Sequence, residues 1–233
     1  MVPTLNEVEG MKAIMPKIDP SWYDELIVID GGSTDGTLDY CREKGYRVVH
    51  QQSKTIANAY TEAFAESRGD FVVLFTPDGN SDPDTVPKIV AKMREGYDMV
   101  IASRYLGGHA SEDDDAVTAL GNRVFTTLVN LLFGARLTDS LVAFRAFSRK
   151  AILDMKLPSQ TGENALRRRY PLMCTWELGS SIRSAKLSLR VTEIYGPEPP
   201  RIGGERKMSV IRNGIGCLLQ ILEERVRGNG VFY

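Results

Sequence analysis

The sequence predicts an α/β fold in which a mostly parallel central sheet is flanked by helices, in the doubly wound, Rossmann-like arrangement. Three short aliphatic and β-branched runs, each followed by a polar turn, are typical of buried parallel strands. They are residues 26–29, 71–75 and 99–102. Helical patterns alternate with them at residues 37–44, 56–67 and 84–94. Ligands of such sheets collect beyond the carboxyl ends of the strands, where these polar turns lie.

The two ends of the chain are less regular. Only Met1 and Val2 precede Pro3, so the sequence predicts an incomplete first strand, as if the natural start were missing. An apolar helix is predicted at about residues 117–133, and residues 209–227 have the spacing of an amphipathic helix. We expect the latter in the core or at a homodimer contact rather than lying on a membrane, because its polar face mixes both signs of charge.

The composition is that of a single globular domain. The chain has 233 residues, of which 42% are hydrophobic and 25% charged, and its formal net charge is -1. This balance excludes disorder and a general polyanion-binding role, so no nucleic-acid partner is expected. Cys41, Cys174 and Cys217 form no C-x-x-C pair, which favours a reducing cytoplasm over a disulfide framework or a zinc site. No apolar run approaches the roughly 20 residues that a membrane-spanning helix needs.

Two loops at strand ends hold the side chains with the most chemistry. The first, residues 30–37 (D-G-G-S-T-D-G-T), offers two carboxylates, glycines with a wide choice of backbone geometry, and helix-capping groups. In the second, residues 76–80 (T-P-D-G-N), Asp78 and Asn80 offer the hard oxygen ligands that Mg²⁺ and Mn²⁺ prefer. Each loop by itself is also consistent with a tight turn that binds nothing.

With Pro3-Thr4-Leu5-Asn6-Glu7, these loops resemble the motifs of the family 2 glycosyltransferases, which share a nucleotide-sugar-binding α/β fold called GT-A. That family has a P-x-x-N-E start, a V-[IV]-D-[DG]-[GS]-S-x-D-G-T loop and a strand followed by D-x-D, in this order. Residues 102–105, 138–145 and 201–208 also look like the G-S-R-Y, T-D-x-x-S-G-F-R and R-x-G-x-S-K-[ML] segments of dolichyl-phosphate mannose synthases and their bacterial polyprenyl-phosphate relatives.

The resemblance implies a hexosyltransferase that uses a GDP- or UDP-sugar, and it implies roles for individual residues. Glu7 and Asp30 would contact the ribose and base, while Asp78, with Asn80, would hold a Mg²⁺ or Mn²⁺ ion that bridges the diphosphate. Arg201 and Lys207 would neutralise the diphosphate or an acceptor phosphate. The other donor-site residues implied are Pro3, Leu5, Gly32, Ser33, Asp35, Pro77 and Arg104.

The resemblance favours polyprenyl phosphate as the acceptor. The alternatives are a soluble or glycan hydroxyl acceptor, and a nucleotide-sugar-binding protein without transferase activity. An inverting, in-line transfer to an anionic phosphate needs no general base, whereas a hydroxyl needs a carboxylate, for which Asp139 is the candidate. Asp139 is equally consistent with a turn-capping role. Asp78, Asp139 and Arg145 are the predicted catalytic residues.

Two departures from the family pattern bear on these roles. Thr76 stands where D-x-D has its first Asp, which leaves Asp78 to hold the metal alone or with Asn80. Val142 and Ala143 replace the Ser-Gly of the S-G-F-R segment, so a contact of that segment with acceptor phosphate is in question.

We expect a GT-A domain over residues 1–208, with a nucleotide-sugar-binding half at 1–105 and an acceptor-binding half at 106–208. An amphipathic helix and tail would follow at 209–233. These features together predict a cytoplasmic protein, either soluble or peripheral at the cytoplasmic face of the membrane.

Two charged runs are interpreted mainly as exposed loops. The acidic run at 112–115 is expected to be a solvated loop rather than a second metal site. The three arginines at 167–169 are expected in a mobile exposed loop, or against anionic lipid headgroups or acceptor phosphate.

Overall fold

A parallel sheet carries the first polar loop of the chain. The computed structural model describes residues 1–161, 175–202 and 209–228. β1 (Val2–Thr4), β2 (Ile27–Asp30) and β3 (Arg47–His50) are adjacent in that order, and both pairs run parallel. The predicted strand at 26–29 is β2, which is buried throughout because it lies between two neighbours and under helices. Its last residue, Asp30, begins the loop at the carboxyl edge.

A second, mixed sheet carries the other polar loops. β4 (Phe71–Leu74), β5 (Met99–Ser103), β6 (Arg145–Ser148) and β7 (Val191–Tyr195) are arranged in the order β4-β6-β5-β7. β6 runs antiparallel to both of its neighbours, whereas β5 and β7 are parallel. The Phe75 N–H donates to the Met1 carbonyl at 3.1 Å, which places the end of β4 beside β1. The α/β class is confirmed, with one parallel sheet and one mixed sheet.

Helices cover these sheets where the apolar spacing predicts them. α2, α3 and α4 are the helices predicted at 37–44, 56–67 and 84–94. α3 packs Ala59 and Ala63 against Ile27 and Ile29 of β2. The helix bounds are α1 Val8–Ile14, α2 Thr37–Glu43, α3 Ile56–Glu66, α4 Val86–Arg94, α5 Ala116–Phe133, α6 Arg149–Asp154, α7 Trp176–Lys186 and α8 Val210–Val226.

The helices α5, α7 and α8 form a smaller apolar cluster outside the sheets. Its buried members are Val129, Leu178, Ile182, Cys217 and Ile221. α5 has 18 residues with a mean hydropathy of 1.3, and only 17% of them are buried, so by length and composition alone it is apolar enough to cross a membrane. The sequence analysis predicted no such segment.

The outer faces of α5 and α8 expose many large apolar side chains. The most exposed are Val117, Leu120 and Leu131 of α5, and Ile211, Leu222 and Val226 of α8. Several exposed large apolar side chains on one helix are typical of a surface that contacts another molecule or a membrane.

Candidate active site

The loop after β2 is tied to the segment after β1 by side-chain hydrogen bonds. The Asp30 carboxylate accepts from the Gly32 N–H at 2.8 Å and from the Ser33 N–H at 2.9 Å. Gly32 has a φ of +97°, which a glycine adopts at little cost. Ser33 Oγ in turn accepts from the Asn6 N–H at 2.9 Å. Asp30 and Ser33 therefore fix the backbone of the P-x-x-N-E segment.

Asp35 anchors the start of α1 in the same way. Its Oδ2 accepts from the Val8 N–H at 3.0 Å, and its Oδ1 accepts from Thr37 Oγ1 at 2.6 Å. Thr37 Oγ1 also accepts from the Glu7 N–H at 3.1 Å. Burial opposes ionisation of Asp35, but these hydrogen bonds outweigh it and lower its pKa. The carboxylate therefore holds Glu7 at the edge of the sheet.

A cavity of about 530 Å³ opens at this edge, between the carboxyl ends of β1, β2 and β4. This volume lies within the range of small-molecule sites. Gly32, Ser33, Asp35 and the buried Asp30 do not line it. The predicted nucleotide-binding residues that line it are Pro3, Leu5, Glu7, Pro77 and Asp78.

A second cavity, of about 430 Å³, adjoins the first at Thr76 and Asp78, which line both. The predicted residues Asn80, Arg104 and Arg201 line this second cavity. The structure therefore brings together the metal-binding and phosphate-binding residues that the sequence analysis predicted from distant segments. Lys207 lies outside the described residues, as do the three arginines at 167–169.

Asp78 contacts Arg201, and their segments pack closely. The nearest distance between the guanidinium of Arg201 (Nη1) and Asp78 Oδ2 is 3.2 Å. The Ile202 N–H donates to the Asp78 carbonyl at 2.8 Å. Gly79 permits this approach, since its φ is +92° and a Cβ there would lie 2.8 Å from Ile202 Cγ1. The Pro77-Asp78-Gly79 segment therefore forms a turn and also contributes residues to the candidate site.

Arg104 and Asp139 form a buried ion pair. Asp139 is fully buried, and its two oxygens accept from Arg104 Nε at 2.6 Å and Nη2 at 3.1 Å. Asn122 Nδ2 donates to the same carboxylate at 2.8 Å. Burial opposes ionisation of Asp139, but Arg104 and these donors keep its pKa below the ordinary value. In this structure the buried carboxylate of Asp139 is ion-paired and positions Arg104, and its role as a general base stays a prediction.

Arg145 lies inside the protein and does not line the cavities of the site. Its Nη1 donates to the Glu177 carbonyl at 2.8 Å and to Ser180 Oγ at 2.9 Å, and its Nε donates to the Val142 carbonyl at 2.9 Å. It is fully buried. Arg145 therefore joins the start of α7 to the loop before β6 in this structure, and its catalytic role stays a prediction.

A third cavity, of about 260 Å³, lies between α5 and α8. Apolar side chains such as Val117, Phe125 and Val210 line it, and Arg104 and Arg201 line both this cavity and the second one. The three cavities thus form a continuous series that begins at the sheet edge and ends between two amphipathic helices.

The comparisons with known proteins decide the family. The sequence profile described as Glycosyl transferase family 2 matches residues 2–176, which is well over half of the chain. The chain belongs to glycosyltransferase family 2. Its relatives include the glycosyltransferase AglJ of Haloferax volcanii, 28% identical over all of this chain and 73% of AglJ. A dolichyl-phosphate hexose transferase of the same organism is 27% identical over 96% of this chain and 93% of that protein.

The solved structures confirm the GT-A type of fold. Glucosyl-3-phosphoglycerate synthase from Mycobacterium tuberculosis, in complex with Mn²⁺, UDP-glucose and phosphoglyceric acid, matches with a TM-score of 0.62. The identity is 23%, and the match covers 97% of this chain and 78% of that protein. At this identity the likeness concerns the fold alone.

The residues around Asp78 suit a divalent cation. Among the described residues, Asn80 Oδ1 is buried and has no hydrogen-bond partner. A buried amide oxygen without a partner is unfavourable, and a cation would satisfy it. The described cavity also has more carboxylates than guanidinium groups, since Asp78 and Glu198 line it beside Glu177. Asp78 and Asn80 are therefore fit to hold Mg²⁺ or Mn²⁺ in this glycosyltransferase.

Glu177, which lines the second cavity at the start of α7, was not among the predicted site residues. Glu177 is 8% exposed, and its Oε2 has no hydrogen-bond partner among the described residues. Burial raises its pKa, against the opposing effects of nearby Arg145, Thr175 and Tyr60. No local motif marks it in the sequence, because the carboxylate reaches the site only through the packing of α7.

We expect Glu177→Gln to stabilise the glycosyltransferase above neutral pH. A carboxyl with a raised pKa makes the folded state lose stability as pH rises above the ordinary value of 4.5. The uncharged amide removes that loss, so Tm should rise by about 2–4 °C at pH ~8 and stay unchanged at pH ~4. Differential scanning calorimetry at both pH values measures it, with the exposed Glu9→Gln as control. An unchanged or lower Tm at the higher pH contradicts the assignment.

Proposed function

We propose that this glycosyltransferase moves a sugar from a GDP- or UDP-sugar to a polyprenyl phosphate, at the cytoplasmic face of a membrane. The observation that carries the proposal is the series of three adjoining cavities, which share Asp78 at one junction and Arg104 and Arg201 at the other. The substrates would fill these cavities in order. The base, the diphosphate and the sugar of the donor come first, and the lipid phosphate of the acceptor follows.

The first two cavities would take the donor. Glu7 offers a carboxylate to hydroxyl or N–H groups of the nucleoside, and Asp78 lies where the diphosphate would enter the second cavity. The divalent cation that Asp78 and Asn80 would hold supplies charge neutralisation to the departing diphosphate. Arg201, beside Asp78, would add a bidentate donor to the same phosphates.

The third cavity would take the acceptor. Arg104 and Arg201, whose guanidinium groups suit a phosphate, line it together with the carboxylates of Asp113, Asp114 and Glu198, and most of its other lining residues are apolar or small, which suits a prenyl chain. The exposed apolar faces of α5 and α8 flank it and would rest on the membrane surface from which the lipid comes. The dolichyl-phosphate hexose transferase among the relatives supports this choice.

The reaction would be an inverting displacement. An oxygen of the acceptor phosphate attacks the anomeric carbon and forms the new C–O bond. The bond from that carbon to the diphosphate breaks at the same time, and the nucleoside diphosphate leaves with the electron pair. The attacking phosphate is already anionic, so no proton has to be removed. This agrees with an Asp139 that is paired with Arg104 and closed to solvent.

We expect the enzyme to convert radiolabelled donor into a lipid-soluble product when polyprenyl phosphate is supplied. The assay uses UDP- and GDP-sugars with Mn²⁺, followed by extraction into organic solvent. Polyprenol without phosphate is the control, and it should yield no product because it lacks the anionic nucleophile. Labelled product with polyprenol, or only with soluble hydroxyl acceptors, would contradict the proposal.

A further inference from the structure

The acidic run at 112–115 does not behave as the solvated loop that its composition indicates. Asp113 Oδ2 accepts from Asn80 Nδ2 at 2.8 Å, and the Asp113 side chain is only 17% exposed. Asp114 contacts the hydroxyl of Tyr105 and lies 3.5 Å from Arg104 Nη1. The interpretation of this run as solvent-exposed is therefore wrong for both residues, since long-range packing folds them into the site.

Asp113 lies beside the predicted metal ligands. Arg201 is near both carboxylates, with its Nη1 3.2 Å from Asp78 Oδ2 and its Nε 3.5 Å from Asp113 Oδ2. Asn80 also links the two, because its N–H donates to Asp78 Oδ1 at 3.2 Å and its Nδ2 to Asp113. Two carboxylates that contact the same guanidinium group repel each other unless a positive charge lies near both of them. Here the guanidinium of Arg201 provides that positive charge.

The strand end itself supplies only one carboxylate. Thr76 occupies the position at which D-x-D has its first Asp, and its Oγ1 is 3.0 Å from Ser81 Oγ. Divalent cations in phosphate-transfer sites are commonly held by one or two carboxylates together with substrate phosphates. A second independent feature points to a ligand at this place, because Asn80 is 7% exposed and its Oδ1 lacks a partner among the described residues.

We propose that Asp113, from the loop before α5, is the second carboxylate ligand of the divalent cation. Thr76 cannot fill this role because it has no carboxylate. The inference rests on the proposed function, because the cation is the one that accompanies the donor diphosphate. Arg201 holds Asp78 and Asp113 together in the absence of the cation. When the cation binds between the carboxylates, Arg201 is released to the diphosphate.

Titration calorimetry with MnCl₂ and UDP or GDP tests this without a measurement of transfer. Asp113→Asn is expected to weaken Mn²⁺-dependent nucleotide binding about ten-fold or more. Glu112→Gln, an exposed residue of the same loop, is the matched control and should change it less than about two-fold. Circular dichroism verifies that each variant is folded.

A double variant separates ligation from a structural effect. Thr76→Asp in the Asp113→Asn background places a carboxylate back at the strand end and is expected to restore most of the Mn²⁺ dependence. Wild-type-like binding by Asp113→Asn, or no recovery in the double variant, overturns the inference and leaves the proposed function intact. An absence of nucleotide binding by the wild-type protein counts against the proposed function itself.

Discussion

Asp78→Ala is expected to lower the rate of sugar transfer by about a hundred-fold or more, because the leaving diphosphate loses its main source of charge compensation. Asp78 lies at the junction of the first two cavities and is 9% exposed. Its backbone carbonyl bonds to the Ile202 N–H, and that contact does not depend on the side chain. The fold should therefore survive the substitution.

The initial rate with saturating donor and Mn²⁺ measures this effect. Asp84→Ala, an exposed carboxylate of the same loop region, is the control and should leave the rate nearly unchanged. Asp78→Asn keeps the shape of the side chain and removes only its charge, so it should be almost as slow as Asp78→Ala. A rate within about three-fold of wild type in the asparagine variant would show that this carboxylate does not support the departure of the diphosphate.

Glu224→Ala is expected to destabilise the protein by roughly 3–5 kcal/mol, because it leaves two cations buried without their counter-charge. Glu224 lies on α8 and bridges α7: its Oε1 is 2.6 Å from Arg183 Nη2, and its Oε2 is 2.7 Å from Lys186 Nζ. The side chains of Glu224, Arg183 and Lys186 are 5%, 1% and 2% exposed, respectively. The pairs thus fix α8, which lines the third cavity, against α7.

Urea unfolding followed by circular dichroism measures the free energy of unfolding. Glu43→Ala removes an exposed ion pair with Lys44 and is the matched control, with an expected cost below about 1 kcal/mol. A cost for Glu224→Ala as small as that of the control would mean that α8 is held mainly by its apolar contacts. Extraction of labelled product into organic solvent then shows whether transfer by the same variant depends on these ion pairs.

Local sequence pattern predicts three of the described strands but not β6, although three of its four residues are buried. β2, β4 and β5 are continuous aliphatic runs, and all three were predicted at nearly the observed bounds. β3 and β7 were not predicted, because their residues are half-buried or exposed and mix charge with apolar character. Their pairing is set by neighbours that are distant in sequence, which a single run of residues does not reveal.

The same holds for the candidate site: local motifs predict some of its residues, whereas contacts between residues distant in sequence determine the rest. The loops that carry Glu7 and Asp78 were predicted, because polar turns after parallel strands must meet at one edge of the sheet. The contact of Arg104 with Asp139 spans 35 positions, and that of Arg145 with the Glu177 carbonyl spans 32. Such contacts decide whether a charged residue meets substrate or supports another residue, and only packing determines them.

The most direct test of the central claim is calorimetric titration of the wild-type protein with UDP and GDP, with and without Mn²⁺. One of the two nucleotides is predicted to bind, with an affinity at least about ten-fold higher when Mn²⁺ is present, because the proposed cation would neutralise the diphosphate beside Asp78. Failure of both nucleotides to bind in the presence of Mn²⁺ would contradict the assignment of the sheet edge as a donor site.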